Sequence, residues 1–376
     1  MVINVAFHSE HRVKLPSGML SVRVNRTDIP LKALCGFGCR QNPKRGFLFV
    51  SKVLGKHYPV CPSQMRAVQR MLADKINSEL IGPIVFLGMA ETATCLGQAI
   101  HEEYLRRTGR NDVLFLQTTR YHLDRKPAFV FSEEHSHATA HLVHVPECRS
   151  DVQLLREART IILIDDEAST GNTFSNLASA FKQYASNIEH AVLVMITDWT
   201  DGQAAKAMPI PTDMVSILSG TYSFQSSPHF IPKSVSTTGN GLSKFRLFKQ
   251  NYGRLGCRNI LNISAYIKHR ALAIARGQIL VLGTGEFSYL PFRLAEYLKK
   301  EGMEVRFQTT TRSPIMVSND IQAKMSFPDN YGDEIPNFLY NVNPEDYDTV
   351  IVCYETPFET VQPQLIHSLK PVTILF

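Results

Sequence analysis

The sequence has little of what marks special classes of protein. It carries a single tryptophan, and no stretch approaches the roughly 18 consecutive apolar residues of a membrane span. Its first residues meet His8, Glu10 and Arg12 before an apolar secretory core can form, so neither export nor a membrane is expected and a cytoplasmic location is. Cysteine is sparse and odd in number, with Cys35, Cys39, Cys61, Cys95, Cys148, Cys257 and Cys353 scattered through the chain. That pattern points to reduced thiols, not a disulfide framework. Only Cys35 and Cys39 are close, and no second pair completes a zinc site. A charge excess is also missing: 40 Lys+Arg against 34 Asp+Glu leaves +6. This suits an anionic small ligand and makes no case for nucleic acid. With 21 Gly, 20 Pro and 44% hydrophobic residues, collagen-like and disordered classes are excluded. A length of 376 residues predicts two domains, or one with large additions.

Residues 1–60 mix short alternating stretches with turn residues and a basic segment from Arg40 to Lys56, which predicts a β-rich extension. From about 63 to 200, helices and apolar strands alternate. A helix from Ser63, which would cap it, to Glu79 leads to the strand IGPIVFLGM, then a helix from Thr94 to Arg107 and the strand VLFLQTT. A polar, His-rich stretch precedes strands ATAHLVHV and TIILIDD, a helix from Thr173 to Tyr184, and strand AVLVMIT. Continuous apolar strands between helices predict a parallel sheet covered on both faces, an α/β fold. Residues 201–262 lack periodicity and read as a connecting region with an arm. Alternation resumes with QILVLG at Gln278, a helix to Lys300, EVRFQTT and TVIVCYE.

The segment from Thr160 to Thr173, TIILIDDEASTGNT, carries the most chemistry. Four apolar residues end in the pair Asp165 and Asp166, and Thr170-Gly171-Asn172-Thr173 opens a helix with Phe174, Leu177, Phe181 and Tyr184 at helical spacing. A helix N-terminus at the end of a sheet strand favours phosphate, Gly171 admits close approach, and the Ser169, Thr170 and Thr173 hydroxyls can donate. Two acids beside such a site would repel a bare phosphate. They fit a ligand that offers hydroxyls and a divalent cation as well, as a ribose 5-phosphate does.

The segment resembles the phosphoribosyl diphosphate (PRPP) signature of type I phosphoribosyltransferases. That resemblance implies Asp165 and Asp166 on the ribose hydroxyls, Ser169, Thr170, Gly171, Asn172 and Thr173 on the 5′-phosphate, and Mg²⁺ as cofactor. It also places a pyrophosphate loop one strand earlier, which Gly88, Met89, Ala90, Glu91 and Thr92 fit. Glu91 is unexpected in an anion loop and would reach Mg²⁺ or the nucleophile. A catalytic loop should follow, from Thr118 to about Ala140. There Arg120, Arg125 and Lys126, with Lys52 or Lys56, are the candidate cations, and Glu133 or His135 the candidate acid/base. His135, His137 and His141 alternate on one face, which leaves a metal site there as a rival reading. Trp199, after strand AVLVMIT, could stack on an acceptor base or pack in the core.

The chain also resembles itself. Val85-Phe-Leu-Gly-Met-Ala-Glu91 and Phe115-Leu-Gln-Thr-Thr-Arg120 recur as Val281-Leu-Gly-Thr-Gly-Glu286 and Phe307-Gln-Thr-Thr-Thr-Arg312, and IILIDDE has a counterpart in Val350 to Glu355 without the acid pair. This predicts a degenerate second half-fold, with a second anion site at Gly283, Thr284, Gly285 and Glu286 near Thr311, Arg312 and Ser313. The stretch Thr311-Arg-Ser-Pro314 is similar to the motif of bacterial proteins that join an orotate-phosphoribosyltransferase-like domain to a C-terminal TRSP domain. Their genes lie in tellurium-resistance and stress-response operons.

The expected fold is a type I phosphoribosyltransferase-like parallel sheet with a β-rich extension, plus a second Rossmann-like α/β domain. The expected boundaries are 1–60 for the extension or hood, 61–220 for the transferase, 221–262 for the arm and 263–376 for the TRSP-type domain. The resemblance implies a Mg²⁺-dependent transfer from PRPP to an unidentified base or small nucleophile, in the synthesis of a nucleoside-like metabolite. A PRPP or nucleotide sensor and an enzyme working in the phosphorolytic direction are the alternatives. Candidate partners are a second copy of the chain and enzymes of the same operon.

Overall fold

The computed structural model describes residues 9–42, 45–123, 125–132, 140–231, 253–263, 275–333, 335–357, 360 and 362–375. Strands β1 (Ser9–Leu15) and β2 (Gly18–Thr27) pair antiparallel, the short helix α1 (Leu31–Leu34) follows, and β3 (Cys35–Arg40) pairs antiparallel with β4 (Phe47–Ser51). Helix α2 (Pro62–Lys75) starts on Pro62, whose missing N–H costs nothing in a first turn, so Cys61 and not Ser63 precedes it. Then come β5 (Ile84–Gly88), α3 (Ala93–Thr108), β6 (Val113–Gln117), β7 (Pro127–Ser132), β8 (Ala140–His144), α4 (Arg149–Arg156) and β9 (Thr160–Ala168). Helix α5 (Asn172–Tyr184), β10 (His190–Asp198), the one-turn α6 (Gln203–Lys206) and β11 (Thr212–Ser226) complete the first unit.

Its sheet has the order β1-β2-β11-β10-β9-β5-β6, parallel from β11 to β6. The parallel strands are apolar without alternation because helices cover both faces: Phe86, Leu163 and Val194 have no exposed surface. Two expectations change. The stretch 201–262 is not all connection, since β11 sits inside the sheet between β10 and β2 and runs past residue 220. Its main apolar run stops at Leu218, and its outer half, Gly220 to Ser226, is held by pairing with β2 and by Tyr222 and Phe224 against Phe47. Within the stretch expected to be one polar loop, β7 forms and pairs antiparallel with β8, which lies within the expected strand ATAHLVHV.

The second unit contains β12 (Gln278–Gly283), α7 (Tyr289–Lys300), β13 (Glu304–Thr309), β14 (Ile315–Met316), β15 (Lys324–Pro328), β16 (Pro336–Tyr340), β17 (Thr349–Tyr354), α8 (Pro363–Leu369) and β18 (Val372–Leu375). Its parallel sheet runs β13-β12-β17-β18, the order of β6-β5-β9-β10 in the first unit. The repeat read from the sequence is thus a repeat of topology.

The two units pack closely. Helices α2, α3 and α7 meet, and Arg66 bridges Glu103 of α3 at 3.2 Å and Glu296 of α7 at 2.6 Å. The Thr94 and Ser288 hydroxyls bond at 2.6 Å. Strand β14 of the second unit extends the extension's own sheet, pairing with β3.

Candidate functional site

A cavity of about 180 Å³ opens where β5 and β9 end. On one side stand Asp165 and Asp166, then Ser169, Thr170, Gly171 and Thr173 at the start of α5. Gly171 has φ +84°, and a side chain there would press on Ala204 of α6, so only glycine suits the turn. Asn172 does not line the cavity. The second wall is the loop Met89 to Thr92. Thr92 Oγ1 donates to Asp165 Oδ1 at 3.0 Å, joining the two loops. Gly88 does not line the cavity; any side chain there would strike the Ala93 carbonyl at 2.8 Å, so it permits the close packing of α3.

The third wall comes from distant parts of the chain. Arg40 and Arg45 of the extension line it, with His57 and with Thr311, Arg312 and Ser313 of the second unit. The separate second site expected for the last three residues is therefore corrected: the Thr-Arg-Ser stretch faces the same cavity as the Asp165-Asp166 pair. The loop from Gly283 to Glu286, its expected companion, is filled by protein groups. Lys56 Nζ donates to the Gly285 carbonyl at 3.0 Å, and Arg254 lies against Glu286 at 3.1 Å and Glu355 at 2.6 Å. No room for an anion remains among those carboxylates.

Arg120 reaches the cavity, whereas Arg125 and Lys126 do not; Arg125 pairs with Glu147 at 3.1 Å. Glu133 and His135 lie outside the described residues, as does His137. Among the described residues no cluster of three metal-ligating side chains occurs, and His141 bonds Thr118 Oγ1 through Nδ1 at 3.0 Å. Trp199 is in the core, stacked on Phe49 at 4.2 Å with 3% exposure, so its role as a stacking surface for a base is set aside. Lys52 pairs with Asp320 at 3.1 Å, away from the cavity.

Charge is arranged in local pairs. Arg45 meets Glu167 at 2.7 Å, while burial, aided by Asp166, raises the Glu167 carboxyl above its usual range. Burial alone would raise Glu91 too, but Lys56 at 3.3 Å, Arg312 at 3.4 Å and the field of Arg120 outweigh it and hold Glu91 low. His57 is 5% exposed, neither ring nitrogen has a hydrogen-bond partner among the described residues, and burial lowers it to about 3, leaving a neutral imidazole in the wall.

Sequence reasoning missed Arg45, His57 and Glu167, and offered His141 only as a metal ligand. A signal existed for the first, in the basic run from Arg40 to Lys56. His57 carries none, because only packing brings it to the wall.

Comparison with known proteins assigns the architecture. A family model described as phosphoribosyl transferase matches residues 34–221, half of the chain. The chain belongs to the phosphoribosyltransferase family. Residues 252–369 match the TRSP domain found C-terminal to that transferase. The transferase is therefore an enzyme of the class that uses PRPP. Adenine phosphoribosyltransferase from Rhodothermus marinus is similar at 16% identity, covering 50% of this chain and 95% of that one with a TM-score of 0.33. The Trypanosoma brucei adenine enzyme is similar at 14%, covering 56% and 87% with a TM-score of 0.34. Orotate phosphoribosyltransferase from Aeropyrum pernix is similar at 12%, covering 46% and 80% with a TM-score of 0.28. No curated protein matches the chain.

Proposed function

We propose that the transferase moves the phosphoribosyl group of PRPP, with Mg²⁺, onto an unidentified base or small nucleophile to make a nucleoside-like product. The observation that carries this is the meeting, in one cavity, of the Asp165-Asp166 pair, the Ser169 to Thr173 turn and the Met89 to Thr92 loop. Asp165 and Asp166 accept from the ribose hydroxyls. The N-terminus of α5 and the hydroxyls of Ser169, Thr170 and Thr173 hold the 5′-phosphate. Met89 N–H donates to the Ile164 carbonyl and Ala90 N–H to the Thr118 hydroxyl, so the N–H groups of Glu91 and Thr92 are the ones that face the diphosphate.

The donor set fits the cation. Mg²⁺ keeps several waters and takes one or two carboxylates plus ligand phosphates, so it needs no all-protein cage. Asp165 and Asp166 would supply those carboxylates, and Mg²⁺ held by them would supply neutralisation of the charge that develops as the diphosphate leaves. Arg120 adds a positive charge at the same wall. The boundaries 61–220 and 263–376 are adopted as the working division, with β11 extending the first of them by six residues, to Ser226.

The test is the double variant Asp165→Asn/Asp166→Asn. PRPP–Mg²⁺ affinity should fall by more than 100-fold while the circular dichroism spectrum is unchanged; undiminished affinity would sink the assignment. Release of diphosphate from PRPP over a panel of bases and amines identifies the acceptor. Tight PRPP binding without turnover on any of them would favour a sensor.

A further inference from the structure

The two units exchange contacts reciprocally. Glu286, after β12, accepts from the Arg120 backbone N–H at 2.8 Å and from the Thr119 hydroxyl at 2.5 Å, both in the loop after β6. Glu91, after β5, accepts from the Arg312 backbone N–H at 3.3 Å, in the loop after β13. Each unit's glutamate thus holds the arginine loop of the other. The repeat makes Arg312 the positional equivalent of Arg120, but it is delivered to the first unit's cavity instead of its own.

Arg312 is held there on three sides. Its Nε lies 3.4 Å from Glu91, its Nη2 donates to the Tyr121 hydroxyl at 2.6 Å, and its guanidinium stands over the Tyr121 ring at 5.6 Å. Tyr121 is itself fixed by stacking on Tyr331 at 4.1 Å. A half-buried guanidinium fastened beside the Met89 to Thr92 loop, and lining the cavity, has the geometry of an anion clamp. Resting on the reading of the cavity given above, we propose that Arg312 of the TRSP domain is a catalytic residue of the transfer, binding the diphosphate, and that Glu91 and Tyr121 are its positioning residues.

In the step itself, the bond from C1 to the diphosphate oxygen breaks and its electron pair stays on that oxygen. A lone pair of the acceptor, a nucleophile bearing a proton, forms the new bond to C1, and that proton leaves to water. Diphosphate gains one negative charge at the loop where Arg312 stands, so the clamp strengthens as the bond breaks. The C-terminal domain is on this account half of the active site, not an appendage.

The experiment is calorimetric titration of the full chain with Mg²⁺ and, separately, PRPP, inorganic diphosphate and ribose 5-phosphate. Arg312→Ala should weaken diphosphate and PRPP at least 30-fold and leave ribose 5-phosphate within twofold. Arg312→Lys, which keeps the charge but loses the fork, should recover part of that loss. Tyr121→Phe, which removes one hydroxyl, should weaken diphosphate about threefold and spare ribose 5-phosphate. If the unaltered chain binds PRPP and Arg312→Ala leaves diphosphate affinity within threefold, or if Arg312→Ala and Arg312→Lys weaken all three ligands alike, the role of Arg312 is overturned. If the unaltered chain binds no PRPP, the underlying reading of the cavity fails instead.

Discussion

After β5 the chain runs Gly88-Met-Ala-Glu91, and after β12 it runs Gly283-Thr-Gly-Glu286. The backbone treats both alike. Thr118 N–H donates to the Gly88 carbonyl at 2.9 Å, and Thr310 N–H to the Gly283 carbonyl at 3.1 Å. The Thr118 hydroxyl accepts from Ala90 N–H and the Thr310 hydroxyl from Gly285 N–H, each at 2.9 Å. Past those bonds the loops part. The first opens on the cavity, with Glu91 shared between Lys56 and Arg312. The second is shut by Arg254, which reaches in from the connecting region and ends between Glu286 and Glu355 with 2% exposure. A local motif therefore sets the shape of a loop. Whether that loop binds a ligand depends on what the rest of the chain places in front of it.

Breaking the plug in the closed loop should have the largest effect. Arg254→Met leaves Glu286 and Glu355 buried without their cation and should cost about 3–5 kcal/mol. Urea denaturation measures this, and an unchanged midpoint would mean that the closed loop does not depend on Arg254.

Acid should strike next, at buried imidazoles. His57 beside the open cavity and His101 in the core are both lowered to about 3 by burial, with Lys56 and Arg40 adding to the effect at His57. Both folded values lie below the unfolded one near 6.5. The stability they contribute is therefore complete above pH 6.5 and is lost as pH falls toward 3, by about 2 kcal/mol for each histidine between pH 7 and pH 5. Denaturation at the two pH values tests the slope, and His101→Leu should remove about half of this part. A slope undiminished in His101→Leu would point to other groups.

The smallest expected effect sharpens the comparison most. Thr118→Val and Thr310→Val remove equivalent hydroxyls and should each cost about 1 kcal/mol of stability. Only Thr118→Val should also weaken PRPP, about tenfold, because the loop its hydroxyl holds, at Ala90, lines the cavity, whereas Gly285, held by Thr310, does not. Equal loss of PRPP affinity in both variants would contradict the division between open and closed loops.

Much of this was legible from residues alone. The α/β alternation, the acid pair and turn of β9 and α5, and the repeat all rest on short-range patterns of apolar period, glycine and hydroxyl spacing. Strand β11 was not legible, because Ser216, Ser219, Gly220, Thr221 and Ser223 interrupt its apolar residues and its place is set by neighbours on both sides. Nor was the fate of Trp199, whose position at the end of a sheet strand suited a ligand equally well before Phe49 was seen stacked on it.

The sequence by itself determined most of the elements and the family, since each depends on residues within one or two turns of chain. Only the tertiary structure decided that Arg312 joins that strand's cavity while Arg254 fills the other loop. The contacts that settle it, Arg312 to Glu91 and Arg254 to Glu286 and Glu355, join residues far apart in the chain. Charge pairing across such separations follows from how the two units dock, and no local pattern encodes it.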